Sequence, residues 1–226
     1  MYVGLPLSGE RQAEGKAIAD GSRLALARAG GHAGTYAIRA RYLDDTGGGR
    51  RWSLAASAGN ARRAAEDSAA VGFIGDLDSG ATRASLPITN QAGIVQISPG
   101  STAVDLTRRV SEQLTPERYR PADDLSFVRL VPAADELGGE SPFIAPGELS
   151  APEGFDFVAA FERRYGRSPP PPAAYGYEAM SLLLDSIEAA GDSRGAVRDE
   201  VLGTQDRASI LGTYSFDDSG DIQISR

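Results

Sequence analysis

The stretch at residues 71–107 constrains the fold more than any other part of the 226-residue chain. It contains two short apolar runs of the kind that form buried strands, and each run ends in a loop rich in Gly, Ser and Thr. A helical pattern separates the two runs, and a strand–helix–strand order makes the strands parallel. We therefore expect both polar loops at one edge of a sheet, where open α/β sheets bind their ligands.

The same order of elements precedes this stretch. Apolar runs at 2–7 and 36–43 are each followed by an amphipathic helical pattern, and 127–131 reads as a further strand. The second half adds helical patterns and two strand-like pieces across the turn at 217–220. This pattern predicts an α/β fold: a three-layer, doubly wound sandwich around a mainly parallel sheet of about five or six strands.

Composition excludes several classes of function. The net charge of −8 argues against nucleic acid as a partner, because phosphate binding needs a basic face. The absence of cysteine removes disulfides, thiolate catalysis and zinc–cysteine sites. No apolar run reaches the length that spans a membrane. We expect no metal and no cofactor, because neither a calcium loop nor a phosphate-binding glycine loop occurs.

Several segments together resemble the type I periplasmic binding proteins, in particular the branched-chain amino-acid (Leu/Ile/Val) substrate-binding proteins of ABC transporters. In chain order they are VGLPLSG, VGFIG, ISPGSTA, DLSFVRLVP, YGRSPPPPAAYGYEAM and LGTYSFDDSGD. Members of that family are two α/β lobes that close on a solute without catalysing a reaction. The resemblance implies a periplasmic or extracellular location, free or lipid-anchored, and a transporter permease as the partner of the full-length parent.

The resemblance also implies that only the amino-terminal lobe is present. FVRLVPAADELGG runs almost directly into ESPFIAP, where the family crosses into its second lobe. We therefore expect residues 1–226 to form a single lobe, built from segments 1–131 and 142–226 and joined by a shortened linker at 132–141. Such a lobe supplies half of the ligand contacts, so binding is expected to be weak.

The family's ligand contacts can be transferred to this chain position by position. They fall on Ser79, Gly100, Ser101, Thr102 and Glu14, and Tyr175 of the later AAYGYEAM helix is a further candidate that could face the cleft. The resemblance implies that backbone N–H groups and Ser/Thr hydroxyls in the two loops hold a ligand carboxylate, while carbonyls near Gly100 accept from its ammonium group. Glu14 indicates a polar or cationic ligand.

Four of these residues also have a structural interpretation. Ser79 could be a helix N-cap, Thr102 a turn hydroxyl, Glu14 a solvated acid at a helix start, and Tyr175 a core residue. Three other polar or aromatic residues are expected to have only structural roles. These are Asp44 and Asp45 as caps and Trp52 as a packing residue.

Two other functions stay open at this point. One is an isolated folding or design fragment that self-associates into homo-oligomers through its exposed cleft face. The other is a phosphatase similar to the haloacid dehalogenases, with Asp76 as nucleophile and Asp78 as acid/base. That chemistry usually needs a lysine after a later strand, and the only lysine, Lys16, lies in the first helix.

Overall fold

The computed structural model describes residues 1–225, and Arg226, the end of the expected second segment, lies outside the described residues. The strands are β1 (Tyr2–Leu5), β2 (His32–Ala33), β3 (Tyr36–Ala37), β4 (Arg41–Asp44), β5 (Gly72–Ile74), β6 (Val95–Ser98), β7 (Phe127–Arg129), β8 (Arg207–Ser209), β9 (Gly212–Phe216) and β10 (Ile222–Ser225). The helices are α1 (Gln12–Arg28), α2 (Leu54–Glu66), α3 (Ser79–Gln91), α4 (Glu153–Tyr165), α5 (Pro172–Ala190) and α6 (Arg194–Leu202).

The central sheet has five strands in the order β4-β1-β5-β6-β7, and every neighbouring pair is parallel. Residues alternate between its faces. Val3 and Ile74 belong to the large core that includes residues of α1, α4, α5 and α6, whereas Tyr2 and Phe73 belong to a smaller cluster with Ala64 of α2. The predicted three-layer α/β class with a mainly parallel sheet is confirmed.

Two details differ from the sequence prediction. The alternating run at 36–43 is not one strand: β2 and β3 form a small hairpin of their own around Gly34, and only Arg41–Asp44 joins the main sheet. A glycine at positive φ makes that tight turn possible. The tail also holds one more strand than predicted, because β8 completes an antiparallel sheet in the order β10-β9-β8.

Helices α1 and α5 touch through their backbones at two glycines. A Cβ on Gly21 would lie 1.9 Å from the Ala173 carbonyl oxygen, and a Cβ on Gly176 would lie 2.0 Å from the Ile18 carbonyl oxygen. Both distances are far below van der Waals contact, and a helix backbone cannot yield as a side chain can. These glycines therefore set the spacing between the two helices that cover the sheet.

We expect Gly176→Ala to lower the free energy of unfolding by about 2 kcal/mol, because the new methyl group forces α1 and α5 apart. Gly195→Ala is the matched control. It is also a glycine inside a helix, but nothing lies within 4 Å of its Cβ position, so we expect a gain of about 0.5–1 kcal/mol. Urea unfolding of both variants measures the contrast. A Gly176→Ala protein as stable as the wild type would contradict the close crossing.

Candidate functional site

The loops after β5 and β6 lie side by side at the carboxyl edge of the sheet, as the sequence predicts. Strands β5 and β6 are parallel neighbours. The Ala103 N–H donates to Ser79 Oγ at 3.0 Å, so the second loop is tied directly to the first. The Ser98 hydroxyl adds a second link by donating to the Asp76 carbonyl at 2.7 Å. The two polar loops thus form one edge of the sheet, which we call the rim.

Ser79 is the first residue of α3, and Asp78 precedes it as the cap residue. The N-cap interpretation of Ser79 is therefore wrong; its hydroxyl oxygen serves the neighbouring loop instead. Ser79 and Thr102 are both half-buried. Thr102 also anchors the chain after β7, because its carbonyl accepts from the Ala134 N–H at 2.8 Å.

The backbone N–H groups of Gly100 and Ser101 are bonded within the loop itself. The Ser98 Oγ accepts from the N–H of Gly100 at 3.3 Å and of Ser101 at 2.9 Å. The Ser101 side chain is fully buried, and its hydroxyl bonds to Thr82 Oγ1 at 2.7 Å and to the Asp76 carbonyl at 3.1 Å. Because Ser98 takes both N–H groups, these two residues shape the loop and do not face a ligand with free donors.

Glu14 is paired within the protein. The Arg11 guanidinium binds its carboxylate and also donates from Nη1 to Asp78 Oδ1 at 2.6 Å. Hydrogen bonding to Glu14 and Asp78 raises the pKa of Arg11. Since Arg11 already neutralises it, Glu14 alone does not indicate a cationic ligand.

A cavity of about 360 Å³ lies beside this ion-pair network, between the loops after β1, β4 and β5. It is lined by Pro6, Glu10, Arg11, Arg50, Arg51, Trp52 and Asp78. The Trp52 indole packs on the start of α3, since a Cβ on Gly80 would lie 2.1 Å from its Cζ2 atom. The packing role expected for Trp52 at a helix start is thus present, at α3.

The two carboxylates at the end of β4 behave differently. Asp44 accepts from the Leu7 N–H at 3.0 Å and the Ser8 hydroxyl at 2.6 Å, so it is the turn cap that was expected. Asp45 is fully buried, and neither of its carboxylate oxygens has a hydrogen-bond partner among the described residues. Burial, with the nearby charges of Asp78 and Asp44, raises the pKa of Asp45 to about 7.

Asp76 is placed poorly for the phosphatase chemistry considered above. It is fully buried, and its Oδ2 accepts from the Ser85 hydroxyl, which in turn accepts from Gln96 Nε2 at 2.9 Å. Burial raises the pKa of Asp76 well above its usual range, which favours the neutral acid. A nucleophile needs an exposed carboxylate instead. Within residues 1–225 no group of His, Cys, Asp or Glu is arranged to hold a metal ion.

Tyr175 does not line an open surface. It is 3% exposed, and its ring meets the Phe143 ring edge-to-face with centroids 5.0 Å apart. Its hydroxyl donates to the Pro142 carbonyl at 3.0 Å and accepts from the Ile144 N–H at 3.2 Å. Burial raises the pKa of Tyr175 to about 12. Phe143 and Ile144 therefore lie against α5 and are not part of a strand.

Arg129 positions the second loop, and the sequence analysis did not select it. This fully buried residue of β7 donates to the Ala103 carbonyl at 2.8 Å and to Thr107 Oγ1 at 2.5 Å, and pairs with Asp221 at 2.7 Å. An arginine inside the apolar run FVRLV was the available signal. Through these bonds β7 and the β9–β10 turn fix the course of the chain after Thr102.

None of the helices in residues 1–225 combines the length and the apolar composition that crossing a bilayer requires.

No protein-family model matches the chain. Comparison with curated protein sequences gives no significant match. Solved structures do match. LivJ of Streptococcus pneumoniae, a branched-chain amino-acid transporter substrate-binding protein in complex with isoleucine, aligns with a TM-score of 0.73 at 16% identity over 100% of this chain and 95% of its own. The leucine-binding protein LivK of Thermotoga maritima aligns with a TM-score of 0.73 at 17% identity over 98% and 92%.

A solute-binding protein of an ABC transporter from R. palustris, in complex with benzoate, aligns with a TM-score of 0.77 at 16% identity over 98% of this chain and 89% of its own. These identities are low, so the likeness concerns the fold, and each ligand belongs to the protein that carries it. The chain has the fold of the branched-chain amino-acid substrate-binding proteins of ABC transporters, as its motifs predict.

Proposed function

We propose that this chain is a non-catalytic solute-binding lobe that holds the carboxylate of a small molecule at the shared edge of β5 and β6. The observation that carries the proposal is the bond from the Ala103 N–H to Ser79 Oγ, which joins the two polar loops. Two structural neighbours are described with isoleucine and with benzoate. Those ligands differ in shape and share a carboxylate, which is the group that a rim of N–H and O–H donors suits.

The donors in this proposal come from the two half-buried residues of the rim. Ser79 offers its hydroxyl proton and its N–H at the start of α3, where the helix dipole favours a negative charge. Thr102 offers a hydroxyl from the second loop. Gly100 and Ser101 fix the shape of the second loop by donating their N–H groups to Ser98 Oγ. Glu14 holds Arg11 in place by accepting from its guanidinium group. Tyr175 contributes to the wall of the site through Phe143.

The proposal treats residues 1–131 and 142–226 as one lobe joined across 132–141. Two observations support it. The described residues form one five-stranded parallel sheet, and between β7 and α4 the chain has no helix or strand other than a short 3₁₀ turn at Pro146–Glu148. A single lobe leaves one side of the ligand in water, so we expect dissociation constants near 1 mM, or about 4 kcal/mol of binding free energy. A periplasmic location and a permease partner belong to the same proposal.

We expect Thr102→Val to weaken carboxylate binding by about 10- to 100-fold, because a hydrogen bond to a charged group contributes about 1.5–3 kcal/mol. Valine keeps the shape of threonine and removes only the hydroxyl. Isothermal titration with a panel of amino acids and with benzoate measures the loss. Thr213→Val, on strand β9 of the other sheet, is the matched control and should bind as the wild type does. Equal affinities of the Thr102→Val and Thr213→Val proteins would contradict the proposed site.

A further inference from the structure

The short segment at residues 141–145 folds back over the rim just described, and we call it the strap. It follows β7 and the glycine pair Gly138-Gly139, and it precedes α4. A Cβ on Gly100 would lie 3.3 Å from Phe143 Cζ, so the Phe143 ring rests directly on the loop that follows β6. Leu77 Cδ1 would lie 2.5 Å from the same Cβ position, so the space above Gly100 is filled by two side chains of the protein itself, Leu77 and, contributed by the strap, Phe143.

Few bonds hold the strap in place. Among the hydrogen bonds of residues 141–148, those to the rest of the described chain are the two made by the Tyr175 hydroxyl, with Pro142 and Ile144. The edge-to-face contact between Phe143 and Tyr175 adds an aromatic interaction. Apart from the packing of Phe143 and Ile144 against the main core, a single tyrosine thus fastens the strap over the loop that follows β6.

Unhindered glycines lie on both sides of the strap. Gly138 and Gly139 have φ angles of +57° and +91°, in the region that glycine adopts without strain, and no atom lies within 4 Å of either Cβ position. Gly147, on the other side, is equally open. No side chain blocks a movement of the strap at these glycines, and the contacts given up in such a movement are those of Phe143 and Ile144 with the main core and with Tyr175.

We propose that Phe143 determines which ligands the site accepts: with the strap in place, the rim holds small carboxylates beside Ser79 and Thr102, and the ring excludes larger side chains from the space above Gly100. This inference rests on the proposed function and adds a size limit to it. A bulky ligand must displace the ring and break the contacts with Tyr175. A small ligand binds with the strap unmoved.

Titration of glycine, alanine, leucine and phenylalanine into the wild type and Phe143→Ala tests the inference. We expect the wild type to bind glycine and alanine at least about 10-fold more tightly than leucine and phenylalanine. In Phe143→Ala this ratio should fall by about 10-fold or more, because the vacated space accepts the larger side chains. Phe155→Ala is the matched control, since Phe155 is 66% exposed on α4 and should keep the wild-type ratio.

Tyr175→Phe provides a second variant should the first fail to fold. It keeps both rings and removes the two hydrogen bonds of the strap, so the ratio should shift in the same direction by a smaller factor. A ratio unchanged in both variants, with glycine or alanine still bound, would overturn the role of Phe143 and leave the proposed function standing. If none of the four amino acids, nor benzoate, binds to any variant at tens of millimolar, the proposed function fails together with this inference.

Discussion

Replacing Arg129 by methionine should lower the free energy of unfolding by about 3–5 kcal/mol. Methionine retains much of the volume of the side chain but leaves Asp221, which is 2% exposed, without its closest cation. Arg108 also approaches Asp221, with Nε 3.2 Å from Oδ2, and compensates only in part. The Ala103 carbonyl and the Thr107 hydroxyl lose a donor as well. Urea-induced unfolding gives the change directly.

The double variant Arg129→Met/Asp221→Asn separates the ion pair from the rest of the network. Removing both charges should recover part of the loss, because the main cost of the single change is the unpaired buried carboxylate. Arg109→Met is the matched control. Its side chain is 62% exposed and lies 3.7 Å from Glu117, so we expect a change below about 1 kcal/mol. An Arg129→Met protein no less stable than Arg109→Met would refute the anchoring role of Arg129.

The parts of the site that depend on chain order were predictable from the sequence. Two apolar runs separated by one helix had to become parallel strands, and their carboxyl ends had to meet at one edge. Ser79 and Thr102 are therefore near each other, as expected. The sequence pattern did not show that N–H groups of the loop after β6 are bonded within that loop. Ser98 ends an apolar strand, and only the folded loop shows its hydroxyl accepting from two successive N–H groups.

The contacts that join distant segments were not predictable. Phe143 lies in a Pro- and Gly-rich stretch without periodicity, and the bond from the Ile144 N–H to Tyr175 spans 31 residues. Arg129 was visible only as a charge in an apolar strand, and its partner Asp221 lies 92 residues further along the chain. Periodicity reports which face of an element is buried, and it carries no information about which distant side chain meets that face.

Asp45 should make the protein less stable as the pH rises. Its pKa is raised to about 7 by burial and by the charges of Asp78 and Asp44, whereas in the unfolded chain it returns to about 3.9. The folded protein therefore holds a proton that the unfolded chain has already released. The resulting stabilisation is complete below about pH 4 and is lost as the pH rises to about 7.

Asp45→Asn removes this titration while keeping the size of the side chain. Relative to the wild type, we expect the variant to gain on the order of 2–3 kcal/mol of unfolding free energy between pH 5 and pH 8, because it never ionises at this position. Urea unfolding at the two pH values, with both proteins in the same buffers, measures the difference. The buried Asp76 is present in both proteins, and since burial is the largest cause of its raised pKa and the Asp45 charge a smaller one, most of its own contribution is common to both.

Asp67→Asn supplies the contrasting control. Hydrogen bonds from the Tyr2 hydroxyl at 3.0 Å and the Ala69 N–H at 3.1 Å lower the pKa of Asp67. Its contribution is therefore present above about pH 4 and is lost only as the pH falls further. Between pH 5 and pH 8 the difference from the wild type should change much less than for Asp45→Asn, and only through the Met1 amino group, whose pKa the Asp67 charge raises. An unfolding free energy of Asp45→Asn, relative to the wild type, that varies no more with pH than that of Asp67→Asn would contradict this prediction. Asp45 would then be ionised and solvated in the folded protein.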